Sequence, residues 1–211
     1  VIGLGLASVQ GGQGVGTAAQ TGTVSFWDTR LGLGRYGLLL PGTRFDWPAG
    51  QTLRLESFRA RQAAEITCGE DAQVRVAADC RLESGATILL GGGGVVSVGG
   101  TFTLSDTNSA LIVGGRNTDA MVDGAWAGAG GLVEAGSLTV ASGARISADG
   151  RGYAQGAGPG AGGDSGVGGG HGGMGGGANG SNGGATYGSA GEPAQPGSGG
   201  RGSSRWGTWA Y

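Results

Sequence analysis

The sequence contains no lysine; all 13 basic residues are arginine. A Gly-Lys-Ser/Thr phosphate loop is therefore excluded. Charged residues make up only 13% of the chain, and the formal net charge is -2. Disordered chains usually stay soluble by carrying charge, so this scarcity argues for an ordered structure. It also gives no reason to expect nucleic acid or an anionic membrane as a partner. No run of about 20 apolar residues exists, so no segment reads as a membrane-spanning helix. The apolar opening, VIGLGLASV, is too short for a span and lacks the basic start of a signal peptide. It reads as a lightly packed terminus or as a strand that inserts into a neighbour. The first residue is Val, so the chain reads as processed or as a fragment.

Metal ligands and catalytic groups are equally scarce. His171 is the single histidine, and Cys68 and Cys80 are the only cysteines. A closed tetrahedral zinc site needs four ligands, which these cannot supply. A Ser-His-Asp triad would need His171 held rigidly by a carboxylate. Asp164, the nearest in sequence, lies among glycines that hold nothing rigidly. No cofactor is expected. The two cysteines lie on segments that both read as strands. Their even number predicts a Cys68–Cys80 disulfide between adjacent rungs, and with it an oxidising compartment.

What the chain does have is glycine, 54 of 211 residues, where an ordinary protein has roughly 7%. Proline is not present at every third position, so this is not collagen. Four regions follow from the pattern. Residues 1–50 read as short strands and turns with a docking or assembly role; Phe26, Trp27, Tyr36, Phe45 and Trp47 supply aromatic anchors. Residues 51–149 carry short β-favouring pieces with period-two alternation, the mark of half-buried strands. Leu82–Ile88, Val133–Thr139 and Val140–Ile146 repeat one pattern: an apolar residue, two small or polar residues, Gly, then a strand. Glycine at a tight corner between short strands predicts a parallel β-solenoid. An antiparallel sandwich or jelly roll is the alternative.

Residues 150–202 are glycine-rich, and the spacing matters. Gly160, Gly163, Gly166, Gly169, Gly172 and Gly175 form a series with period three. Three residues per turn is the repeat of polyproline-II-type helices, which hydrogen-bond only to one another. A bundle of polyglycine-II-type rods is therefore predicted after the solenoid, with a disordered linker as the alternative. Residues 203–211 end in Trp206, Trp209 and Tyr211, and read as an aromatic cap or docking strand.

From about residue 132 onward the stretches LTVASGARISADGRGYAQGAGPGAGG, GGGHGGMGGG and GGATYGSAGEPAQPGSGGRG resemble glycine-rich β-solenoid modules of large bacterial surface proteins. They are also similar to the polyglycine-II adhesin tips of bacteriophage tail fibres. This resemblance implies an extracellular or virion location and a structural or binding role. It carries over no catalytic residue.

β-Solenoids also host polysaccharide-cleaving enzymes, which need two carboxyls at fixed separation. Glu65, Glu70, Asp71, Asp79 and Glu83 alternate with Arg59, Arg61, Arg75 and Arg81, a pattern that reads as a charge-balanced, solvated face. The sequence thus points to a non-enzymatic structural or adhesive protein. Its expected partners are a cell-surface polysaccharide or receptor, and further copies of itself or other fibre subunits. A filament subunit and a polysaccharide lyase or hydrolase are the alternatives. Tyr153, His171, Asn182 and Tyr187 are the expected ligand contacts; Trp27, Trp47, Trp206, Trp209 and Tyr211 are the expected assembly contacts.

Overall fold

The computed structural model describes residues 7–9, 22–26, 36–39, 44–163, 166–178, 180–189, 191 and 194–202. The expected assembly residues Trp27, Trp206, Trp209 and Tyr211 lie outside them. Among the described residues there is no helix, and hence none long and apolar enough to cross a membrane. The chain divides into two compact units.

The first unit is a succession of short strands wound into about three turns of parallel β-solenoid. Strands β1 (Ala7–Val9), β2 (Gly22–Phe26) and β3 (Tyr36–Leu39) pair antiparallel in sequence, and β3 then starts the parallel stack. One turn consists of β4 (Arg44–Trp47), β5 (Thr52–Leu55) and β6 (Ser57–Arg61). The next consists of β7 (Glu65–Cys68), β8 (Gln73–Val76) and β9 (Cys80–Glu83). The third is β10 (Thr87–Leu90) followed by β11 (Val95–Leu104), whose two halves continue the second and third sides. Then comes β12 (Ala110–Val113), after which the chain leaves the coil through β13 (Gly115–Arg116) and β14 (Ala129–Gly130). It returns as β15 (Leu132–Val140) and β16 (Arg145–Ser147).

The stacking is in register. Glu65 pairs with Thr87, Gln73 with Val95 and Cys80 with Phe102, each 22 residues along the chain. Because side chains alternate across a strand, this register sends one apolar column inward from each side. Phe58, Cys80 and Phe102 form one such column, and Ile66, Ile88 and Leu111 another; all are buried. The resulting core spans Leu53 to Leu111, with Phe45 and Trp47 packed against it. Trp47, an expected assembly contact, also donates its indole N–H to the Gln51 carbonyl at 3.1 Å.

Corners between turns use left-handed backbone. Gly85 (φ 80°) and Gly143 (φ 81°) occupy equivalent corners, as two of the three repeated sequence patterns predict. In the third pattern Gly136 is no corner: it lies inside β15, beside the Gly99 carbonyl. Asp106 braces one corner, accepting from the Ser84 N–H at 2.5 Å and from Ser109 Oγ at 2.7 Å. Desolvation opposes ionisation there, but these bonds, with one from the Gly85 N–H and the charge of Arg81, hold the carboxyl below its ordinary pKa.

The predicted disulfide is absent. Cys68 and Cys80 are free, buried thiols on different sides of the coil. Cys68 pairs laterally with Trp47 and Leu90, whereas Cys80 pairs with Phe58 and Phe102. In these turns residues stack on partners about 22 positions along, and a separation of about half a turn puts the two on different faces. Burial raises the Cys68 pKa from 9.0 to about 12, and that of Cys80 further.

An unfolded chain therefore loses its thiol protons above pH 9.0 while the folded one keeps them. Stability is full below that pH and falls as pH rises towards the folded values. Urea titrations between about pH 8 and 11 should show this decline, and Cys68→Ala should make it shallower. Native protein should be inert to a thiol reagent, and unfolded protein should expose both thiols. A melting temperature lowered by reductant would contradict the free-thiol structure.

Candidate functional site

The second unit comprises Gly114–Gly131 and Ala148–Tyr211. Within its described residues, side chains contribute little volume, and backbone bonds between distant segments hold it together. Residues 167–170, Val-Gly-Gly-Gly, form the central rod. Gly168 N–H donates to the Gly176 carbonyl at 2.8 Å, and Gly170 N–H to Gly160 at 2.7 Å. Gly184 N–H donates to the Gly168 carbonyl at 2.9 Å, and Arg201 N–H to Val167 at 2.9 Å. The rod thus bonds to four separate segments. A strand in a sheet has two neighbours, so this is a bundle rather than a sheet.

Such crowding leaves no room for side chains. A Cβ on Gly170 would collide with the carbonyl oxygens of Gly184 and Ala185. Gly163 and Gly172, by contrast, face open space, and Gly166 has φ 81° at a turn. The period-three series from Gly160 to Gly175 therefore does not trace one rod. It runs across turns at 166 and 171–173, and the rods themselves are only a few residues long.

Gly114–Gly131 supplies a hairpin to this unit, with β13 and β14 pairing antiparallel. Its tip is the Val122–Ala125 bridge around Asp123-Gly124, both at positive φ. Met121 and Val122 are exposed there. Trp126 packs edge-on against Tyr153, with ring centroids 5.3 Å apart.

The expected ligand contacts separate on this scaffold. Tyr153 is buried, and its hydroxyl accepts the Gly128 N–H at 2.8 Å, so it is a packing residue rather than an exposed contact. Asn182 is exposed and follows the Ala178–Ser181 turn. His171 and Tyr187 come together: their rings meet edge-to-face with centroids 4.9 Å apart. Tyr187 N–H also donates to the His171 carbonyl at 2.8 Å.

Tyr187 is anchored through its hydroxyl. Gly160 N–H donates to Ser198 Oγ at 2.9 Å, Ser198 Oγ donates to Tyr187 at 3.0 Å, and Tyr187 donates to the Pro196 carbonyl. Partial burial holds its phenol above the ordinary pKa even though the Ser198 bond opposes this, in keeping with the donor role. His171 differs. Its Nε2 is buried and has no hydrogen-bond partner among the described residues. It flanks Gly188 (φ 84°) opposite Gln195 Oε1; a Cβ there would stand 3.2 Å from the first and 3.5 Å from the second. Met174, 66% exposed, follows the adjoining 171–173 turn.

The candidate site is thus the turn end of the bundle: the edge of His171, Gln195, Gly188 and Met174, held by the Tyr187 clamp. Gln195 was not anticipated from sequence, because only the fold brings it beside His171. Among the described residues no group of three or more His, Cys, Asp or Glu side chains is placed to hold a metal ion.

Two alanine substitutions separate crowding from composition. Gly170→Ala should unlock the central rod and abolish hydrogen-exchange protection across residues 153–202, while Gly172→Ala should leave it unchanged. Equal tolerance of both would show that the rods are not close-packed.

Comparison with protein-family models, with curated proteins and with solved structures finds no match to this chain.

Proposed function

We propose that the chain is a non-enzymatic, extracellular structural or adhesive protein, a viral fibre tip or surface adhesin. In this reading its glycine-rich unit presents its turns to a cell-surface glycan or receptor. The four-neighbour central rod carries the reading. A lattice of backbone bonds fixes the rods and leaves the side chains at the turns free to vary. Rigid presentation of a few turn residues suits recognition, because little is left to order on binding. Near the 171–173 turn the half-buried His171 ring, the exposed Gln195 amide and exposed Met174 offer polar and apolar contacts.

Two of the carboxylates that a glycan-cleaving reading would need are otherwise engaged. Glu83 accepts from Arg59, Arg61 and Arg81, and Asp79 accepts the Thr101 N–H at 2.8 Å. Binding of the intact protein to a glycan array and to whole cells tests the proposal. His171→Ala should weaken binding about tenfold, the loss of one well-placed contact, with an unchanged melting temperature. Undiminished binding by this variant, or no glycan or cell bound by the parent, would refute it.

One observation favours a second role, that of a self-assembling filament subunit. On the last turn of the solenoid, Leu138, Val140 and Ile146 occupy inward positions yet are 48%, 43% and 40% exposed. They continue the Phe102, Leu104 and Leu111 columns beside the outer edges of β15 and β16. An apolar end whose strand edges are unpaired among the described residues is a template for further stacking. Negative-stain microscopy should then show filaments that Leu138→Arg disperses into discrete particles. Discrete particles from the parent protein would remove this role.

A further inference from the structure

The outward faces of the solenoid carry a charge arrangement that the adhesive reading does not use. In an in-register parallel stack, equivalent residues of successive turns lie about 4.8 Å apart, and like charges directly opposite one another destabilise the pair. This chain stacks arginine on arginine twice. Arg54 lies beside Arg75, with Ser97 and then Glu134 next in the same column. Arg59 lies beside Arg81, with Thr103 and Thr139 next. The two columns occupy adjoining sides of the coil, because β5 leads into β6 through Glu56 alone.

Internal compensation is incomplete. Glu83 receives Arg59 in a bidentate pair, both bonds at 2.9 Å, and also receives Arg61 at 3.3 Å and Arg81 at 2.5 Å. One carboxylate thus faces three guanidinium groups, which are 46–54% exposed. In the other column the one carboxylate, Glu134, lies beyond Ser97, two positions from Arg75. Arg75 donates to the neutral Gln73 amide at 3.0 and 3.1 Å, and Arg54 has no partner among the described residues. Asp79, near the bend, is occupied by the Thr101 N–H. Around Arg59, Arg61 and Arg81 the guanidinium groups outnumber the carboxylate that pairs with them.

We infer that the two arginine columns form a binding surface for an anionic polysaccharide bearing carboxylate or sulfate groups. Guanidinium forks match both groups and form charge-assisted bonds stronger than neutral ones. An extended polymer lying along the solenoid axis meets Arg54 with Arg75 and Arg59 with Arg81. Beyond them, the Ser97 and Thr103 hydroxyls continue the same columns as partners for sugar hydroxyls. The outward side chains of these strands include no aromatic ring. The stacking platform that single-stranded nucleic acid requires is therefore missing. The surface belongs to the solenoid unit and stands independently of the glycine-rich turn site.

The test measures binding of the full chain to polygalacturonate, dextran sulfate, neutral dextran and a single-stranded oligonucleotide at rising salt. Binding to either anionic polysaccharide, falling steeply with salt and absent for neutral dextran, is the expected result. Comparing the two polymers tells carboxylate from sulfate recognition. The double variant Arg54→Gln/Arg75→Gln should weaken binding about tenfold or more, while Arg145→Gln on the third side leaves it unchanged. If the double variant melts early, Arg54→Gln alone carries the comparison, since Arg54 has no bond to lose. The inference is overturned by no affinity for either anionic polymer, by binding insensitive to the variants or to salt, or by an oligonucleotide bound as tightly as the polysaccharides.

Discussion

Every N–H and C=O that leaves water must find a partner, and in this chain the partner is mostly another stretch of main chain one layer away. The solenoid unit satisfies the requirement turn by turn, with each strand bonded to its equivalent in the next turn. The glycine-rich unit satisfies it rod by rod, with each short segment bonded to several others. The two solutions place opposite demands on side chains. Solenoid stacking needs an apolar column on the inside of each strand, hence Phe102, Leu82 and Ile88 in the core. Rod packing needs no side chain where backbones meet, hence the glycines of 168–170.

That contrast explains what the sequence disclosed. Between Glu65 and Leu104 most strands alternate apolar and polar residues, and they lie where the pattern puts them. The glycines at 85 and 143 marked corners because a left-handed corner excludes most other residues. The cysteine pairing misled because its inference lacked the turn length: strand pattern reveals which residues point inward but not which ones stack. The excursion of Gly114–Gly131 was also hidden, although Asp123-Gly124 is a strong hairpin signal. Nothing local indicates that the hairpin belongs with residues some 25 positions onward, such as Tyr153.

In the glycine-rich region composition was legible and register was not. Glycines at rod contacts and glycines at turns are the same letter, so a period of three could be read through both. Of the four expected ligand contacts, only His171 and Tyr187 share a place, because neighbouring rods set their rings edge to face. Tyr153 stood between glycines and looked exposed; Trp126, far earlier in the chain, covers it.

The central rod also sets the order in which the molecule can form. Its partners include Gly184 and Arg201, and Gly130 in the hairpin donates to the Ala194 carbonyl. A chain emerging from the ribosome can wind successive solenoid turns as they appear, since each bonds to the turn just made. Residues 167–170 must wait for segments still unsynthesised, out to Arg201. The glycine-rich unit is therefore the last part to close, all at once, after the final rod has been delivered.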